Sequence, residues 1–110
     1  MAKQYTETEA NMLQAIMNHS RLSVLAYLEK NDRANISQIA RAINLDRSTV
    51  VYHLDLLGKV GLIKEESVPV KVAASTGIMG HYFVLDKDKV AIAIGLLRKE
   101  LATIEPSPSK

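Results

Sequence analysis

One run of polar and basic side chains is the part of this 110-residue sequence best suited to chemistry. It consists of Arg47, Ser48, Thr49, Val51 and Tyr52. An arginine can reach a guanine edge or a phosphate, and serine and threonine hydroxyls can bond either bases or phosphates. A valine can pack on a thymine methyl group, and a tyrosine hydroxyl can donate to a phosphate. This is the chemistry of nucleic-acid recognition, provided that a helix presents these side chains together.

The sequence offers little support for catalysis or for metal binding. It contains no cysteine, which excludes disulfides, thiolate metal sites and a cysteine nucleophile. No two of the histidines His19, His53 and His81 share a helical i, i+4 face, so we expect them to be structural, with His53 holding its helix against its neighbours. A glycine-rich phosphate loop and a Gly-x-Ser-x-Gly elbow are both lacking. We therefore expect no catalytic residue, no metal and no cofactor.

Length and composition indicate one small folded domain. The chain is 47% hydrophobic and 24% charged, which is ordinary for a soluble protein. No apolar run approaches the ~20 residues that cross a bilayer, and the first eleven residues are too polar for a signal peptide. We expect a cytoplasmic protein with no membrane partner.

Three- and four-residue steps between apolar side chains predict two helices in the first third of the chain. The first covers Thr6 to Asn18, with its buried side formed by Ala10, Leu13, Ile16 and Met17. Ser20 is the expected N-cap of the second helix, which ends at the polar stretch from Glu29 to Asn35. Its expected buried residues are Leu22, Leu25, Ala26 and Leu28.

The next two helices have the spacing of a helix-turn-helix. The third begins near Ser37, and Asn44 tolerates the left-handed conformation that ends a helix where glycine is absent. Asp46 can cap a fourth helix that runs to about Val60. Its residue Val50 lies ten positions after the small Ala40, where two helices that cross closely need a small side chain. The predicted buried residues of this pair are Ile36, Ile39, Ala40, Ile43, Val50, Leu54 and Leu57.

After the fourth helix the period of the pattern changes to two, which predicts a hairpin from Leu62 to Leu85. Pro69 cannot donate to a ladder, so its strand should be an edge strand or irregular. Asp86 is the expected cap of a last helix, from Lys87 to about Ile104. The predicted fold class is mainly α with a small antiparallel hairpin, a winged helix-turn-helix of order α-α-α-α-β-β-α. Residues 1–104 would form a single domain, including N- and C-terminal dimerisation helices, and residues 105–110 a disordered tail.

Three stretches resemble the ArsR-like winged helix-turn-helix transcription regulators. They are Arg21 to Leu25, Ile36 to Ala40, and Leu45 to Ile63, and the sharpest part is Ser48-Thr49-Val50 followed by His53-Leu54, Leu57 and Gly61-Leu62-Ile63. The resemblance implies a homodimer that binds operator DNA, usually as a repressor, and in many members a metal or other effector that releases it. The cysteine pair of the thiol-based metal sensors is absent, so that mechanism does not carry over and the effector stays unknown.

Residue chemistry and the resemblance together predict the DNA-contacting residues. They are Arg47, Ser48, Thr49, Val51, Tyr52, Gln38, Lys59, Lys64 and Lys71. Between positions 33 and 71 six Lys and Arg stand against four Asp and Glu, so one chain alone should bind only modestly. This favours a dimer on two half-sites about one helical turn apart.

The last helix carries an apolar seam at steps of four, three, four and three residues, with a second flank at Ile92 and Leu96. One stripe is enough to dock a helix on its own domain, and a second suggests a partner subunit. The predicted dimer residues are Leu13, Ile16, Met17, Val90, Ile94, Leu97, Leu101 and Ile104. The alternative, a helix that only caps a monomeric core, stays open.

Two functions therefore remain. The first is a sequence-specific transcription regulator that binds double-stranded DNA as a homodimer and is expected to be a repressor. The alternative is a winged-helix module that holds a protein partner within the transcription machinery without direct base readout. Salt separates them, because binding through phosphates weakens steeply with ionic strength.

Overall fold

The computed structural model describes residues 5–69 and 79–104. Their element order is α-α-α-α-β-β-α, which confirms the predicted fold class. The helices are α1 (Glu7–Ile16), α2 (His19–Lys30), α3 (Ile36–Ile43), α4 (Arg47–Lys59) and α5 (Lys87–Ile104). The strands are β1 (Ile63–Pro69) and β2 (Met79–Leu85). The predicted tail, residues 105–110, and residues 70–78 of the predicted hairpin lie outside the described residues.

Side-chain caps set the beginnings of the first two helices. The Thr6 hydroxyl accepts from the Glu9 amide and the Glu9 carboxylate accepts from the Thr6 amide, a capping box that starts α1. The prediction that Ser20 caps α2 is wrong. Asn18 is the cap and accepts from the Arg21 amide at 3.0 Å, so Ser20 lies inside the helix. Asparagine and serine cap about equally well, so local preference could not choose between them.

The turn between α3 and α4 has the predicted geometry. Asn44 is left-handed, with φ 59° and ψ 48°, and the amide of Leu45 donates to the Ala40 carbonyl at 3.1 Å. Asp46 then caps α4. Ile39 of α3 and Val50 of α4 are both completely buried, so this pair of helices closes over the centre of the domain.

The hairpin is antiparallel, with Ile63 opposite Leu85 and Pro69 opposite Met79. On its other side β2 makes a single-residue bridge, in which the backbones of Ala34 and Phe83 exchange hydrogen bonds of 3.2 and 2.8 Å. The bridge places β2 inside and leaves β1 as the outer strand. This agrees with the edge-strand prediction from Pro69, the last residue of β1.

A single hydrophobic core joins all five helices to the base of the hairpin. Its buried members are Met12, Leu13, Ala15, Ile16, Val24, Leu25, Leu28, Ala34, Ile39, Val50, Leu54, Leu57, Leu62, Ile63, Ala93 and Leu96. Some predictions of burial are wrong: Ala10 and Ala26 are exposed, Met17 is 59% exposed and Leu22 is 43% exposed. Met17 fails because α1 ends at Ile16, which takes the residue out of the helical period.

In the part of the chain that the structure describes, no helix is both long enough and apolar enough to cross a membrane.

Candidate nucleic-acid interface

The first turn of α4 is organised by its cap. The Asp46 carboxylate accepts from both hydroxyls of the turn, Ser48 Oγ at 2.6 Å and Thr49 Oγ1 at 2.5 Å, and from the Thr49 amide at 3.4 Å. The hydrogen bonds from Ser48 and then from Thr49 lower the pKa of Asp46 to about 2. Asp46 is therefore ionised at neutral pH, and it holds two of the predicted DNA-contacting hydroxyls in place.

Arg47 joins the two helices of the motif. Its Nη1 donates to Ser37 Oγ on α3 at 2.9 Å, while its side chain stays at the surface. Gln38, another predicted contact, completes a capping box at the start of α3, where its Oε1 accepts from the Asn35 amide at 2.9 Å. The side-chain NH₂ of Gln38 remains the part able to donate outward. The structure thus brings Arg47, Ser37 and Gln38 to one surface.

Val51 and Tyr52 lie on the surface side of α4, 37% and 58% exposed. On the same helix Val50 and Leu57 are completely buried, so the helix presents one face to the core and another to solvent. Tyr52 and Lys59 also border a shallow groove between α1 and α4, and the Tyr52 ring meets the edge of the His53 ring at a centroid distance of 5.3 Å.

The hairpin holds two of the predicted contacts, of which the structure describes one. Lys64 is exposed on β1, but its Nζ lies 3.5 Å from a carboxylate oxygen of Asp86, the cap of α5. Lys71 lies outside the described residues. A cation at this end of the molecule that prediction did not single out is Arg33, whose guanidinium sits 4.9 Å from the Tyr82 ring centre on β2.

His53 is a structural residue, as predicted. It is 7% exposed, and its Nδ1 lies 3.3 Å from Nη1 of Arg21 on α2. Burial first, and then the Arg21 charge, lowers the pKa of His53. His19 lies exposed on α2, and His81 lies on β2 with Nδ1 2.9 Å from a Glu65 oxygen. Among the described residues, no three His, Cys, Asp or Glu side chains come together in a way that could hold a metal ion.

The predicted dimer residues separate into two groups. Leu13 and Ile16 of α1 are 7% and 3% exposed and belong to the core of the single chain. Val90 and Leu97 are half-buried against that core.

The outer half of the same seam is exposed. Ile94 is 46% exposed and Leu101 is 53% exposed on α5, and Met17 is 59% exposed at the end of α1. The side chain of Ile104 lies beyond the described part of the helix. The core-facing residues of α5 are Ala93 and Leu96, so the predicted seam lies at the edge of the docked face.

Two partners in this region were missed by sequence reasoning. Ser37 lies ten residues from Arg47, and Arg21 lies 32 residues from His53. Neither pair shares a helical face in the sequence, so no periodic signal links them. The sequence could have indicated Ser37 only through its position in the first turn of α3, the first helix of the helix-turn-helix.

Comparison with known proteins agrees with this geometry. The family described as winged helix-turn-helix DNA-binding matches residues 17–64, which run from the end of α1 to the start of β1. A search of curated proteins finds no match.

Several solved structures have the same fold. An ArsR-family transcriptional regulator is similar with a TM-score of 0.65 at 19% identity, over 96% of this chain and 99% of that one. The homodimeric winged helix-turn-helix DNA-binding domain of a possible ArsR-family regulator from Mycobacterium bovis has a TM-score of 0.63 at 19% identity, over 100% of both chains.

A transcriptional regulator homologue from Pyrococcus horikoshii OT3 has a TM-score of 0.62 at 20% identity, over 91% of this chain and 96% of that chain. At such identities the structural likeness shows the fold alone, whereas the family match concerns the helix-turn-helix region. Residues 17–64 thus match the family of winged helix-turn-helix DNA-binding domains, and the chain has the same winged helix-turn-helix fold as these solved structures.

Proposed function

We propose that the protein binds double-stranded DNA sequence-specifically as a homodimer and represses transcription. The observation that carries this proposal is the two-sided character of α4. Its core side buries Val50, Leu54 and Leu57, while Arg47, Val51 and Tyr52 are exposed on the opposite side. A helix with that division can enter the major groove, with its first turns against the base edges.

The other proposed contacts surround α4. Gln38 and Ser48 lie at the starts of α3 and α4, and Thr49 is half-buried beside them. Lys59 is exposed at the end of α4, and Lys64 is exposed on β1. We assign these lysines, with Lys71, to phosphates, and the hairpin to the flanking backbone or minor groove.

The homodimer is proposed on the exposed apolar residues of the two terminal helices. Ile94, Leu101 and Met17 are each close to half exposed or more, although all three are large and apolar. We place the two-fold contact on this surface, with Leu13 and Ile16 supporting it from within the core. The relative from Mycobacterium bovis is described as homodimeric, which supports the same assembly here.

We propose repression in particular, because a dimer bound to operator DNA would exclude other proteins from that site. A DNA-binding role also requires access to the chromosome, so we propose a cytoplasmic location.

The test is selection of bound duplexes from genomic DNA, followed by footprinting and by binding at rising salt. We expect two protected half-sites about one helical turn apart, and affinity that falls by orders of magnitude between about 50 and 200 mM salt. A reporter gene behind a selected site should be less active when the protein is present. Failure to enrich any duplex, together with salt-insensitive capture of a protein partner, would instead identify a protein-interaction module.

A further inference from the structure

We propose that Asp46 sets the base preference of α4, by making Ser48 an acceptor that reads the exocyclic amino group of adenine or cytosine. The inference rests on the proposed DNA-binding function and deepens it. It assigns a role to a residue that does not itself touch the base, and it names the chemical class of base edge that the site takes.

The first step is the direction of the hydrogen bonds. An ionised carboxylate has no proton and can only accept. Ser48 Oγ lies 2.6 Å from one Asp46 oxygen and Thr49 Oγ1 lies 2.5 Å from the other. Each hydroxyl must therefore donate its only O–H hydrogen bond to Asp46. Toward an incoming group, each hydroxyl oxygen can then only accept a hydrogen bond through its lone pairs.

The second step is that this direction persists. The two hydroxyls lower the pKa of Asp46 to about 2, so the carboxylate is ionised throughout the physiological range. Hydrogen bonds to an ionised partner are roughly twice as strong as neutral ones, so a competing acceptor would not easily recover either proton. A phosphate is also a poor partner for Ser48, because it would bring like charge close to Asp46.

The third step is the base edge. In the major groove only adenine N6 and cytosine N4 donate, whereas guanine N7 and O6 and thymine O4 accept. An exposed Ser48 oxygen that only accepts therefore matches adenine or cytosine. The Thr49 oxygen can likewise only accept, but Thr49 is half-buried. We therefore assign the base contact to Ser48, while Thr49 helps to hold the carboxylate.

Ser37, on the same surface, has a hydroxyl that can still donate. Its Oγ accepts from Arg47 Nη1 at 2.9 Å, which leaves its own O–H free to donate. Ser37 therefore suits a phosphate or an accepting base edge. The two serines thus differ in what they can bind, because Ser48 donates to the anionic Asp46 and Ser37 accepts from the cationic Arg47.

The experiment begins with half-sites selected by the wild-type protein from random duplexes. At each position, adenine is replaced by purine, which lacks the 6-amino group, and cytosine by 2-pyrimidinone, which lacks the 4-amino group. We expect one position at which the analogue weakens wild-type binding by roughly 3- to 10-fold and has no effect on the Ser48→Ala variant.

Asp46→Asn provides the second arm. Asparagine caps a helix about as well as aspartate, so the variant should fold, which thermal unfolding checks. Its NH₂ group can donate to Ser48 and release the serine proton, so selection should shift at that position toward guanine or thymine. Asp86→Asn makes the same change at the cap of α5 and should leave the selected sequence unaltered.

Three results overturn the inference while leaving DNA binding intact. They are a Ser48-dependent preference for guanine or thymine in the wild type, analogues whose effects do not depend on Ser48 at any position, and an Asp46→Asn selection identical to wild type. If the wild-type protein enriches no duplex at all, the proposed function fails first and this inference fails with it.

Discussion

The guanidinium of Arg21 lies 3.3 Å from Nδ1 of His53 and joins α2 to the middle of α4. The same guanidinium donates through Nε to the Ala15 carbonyl of α1 at 2.6 Å. A guanidinium has only donors, so Nδ1 of His53 accepts and the neutral ring carries its proton on Nε2. One arginine thus ties α1, α2 and α4 together beneath the proposed DNA surface.

This contact predicts a loss of stability in acid. Burial and Arg21 lower the pKa of His53 in the folded state below its unfolded value of about 6.5. The unfolded chain therefore binds a proton first, and the free energy of unfolding should fall as the pH drops below about 6.5. In denaturant titrations between about pH 5 and 7.5, we expect the free energy of unfolding to depend less steeply on pH for His53→Gln than for wild type. His19→Gln, at an exposed site, should follow the wild-type curve, and equal slopes for all three proteins would contradict the assignment.

Arg47→Ala should weaken binding to a selected duplex by about 1–3 kcal/mol, because it removes a proposed base or phosphate contact and its link to Ser37. The measurement is a fluorescence anisotropy titration at several salt concentrations. Lys99→Ala removes the same charge from an exposed position on α5 and serves as the control. Equal affinities for Arg47→Ala and Lys99→Ala, with the dimer intact, would remove Arg47 from the interface.

Leu101→Glu should dissociate the dimer, because it places a charge in the proposed apolar contact. Sedimentation equilibrium should then report monomer, and affinity for a two-half-site duplex should fall by about 100-fold or more since the two binding events are no longer linked. Ala102→Glu makes a similar change at the next exposed position, on a different side of the helix, and should remain dimeric. A dimeric Leu101→Glu protein would place the contact elsewhere.

Gly61→Ala should destabilise the domain. Gly61 has φ +81° in the turn between α4 and β1, and a Cβ there would approach the Lys89 side chain to 2.8 Å. Lys89 is flexible and can move, so the main cost is the left-handed backbone, about 1–2 kcal/mol. The melting temperature should fall by roughly 4–8 °C for each kcal/mol.

Gly58→Ala is the matched control for that substitution. Gly58 lies near the end of α4 with open space around it, so alanine should stabilise the helix by about 0.5–1 kcal/mol. If the two variants melted at the same temperature, the positive φ would not be the determining feature.

The local features of the fold could be predicted from the sequence because short-range chemistry sets them. Asn44 ends α3 in the left-handed region, and Asp46 caps α4, as their residue types require. Leu54 and Leu57 are buried because the helical period places them on one side. The exposed side of α4, and with it most of the candidate interface, follows from the same period.

Other features depended on what the chain brings together in space. The period of α5 shows an apolar seam, but only packing decides that Ala93 and Leu96 meet the core while Ile94 and Leu101 do not. The choice of Asn18 over Ser20 as a cap was likewise beyond local preference.

The sequence by itself determined the candidate DNA-binding surface, since a capped helix with Arg47 and Ser48 in its first turn needs only neighbouring residues to form. Only the tertiary structure decided how those groups are held. Arg47 meets Ser37 across a turn, and Arg21 meets His53 from another helix, because hydrogen bonds between distant residues depend on how the helices pack and leave no period in the chain.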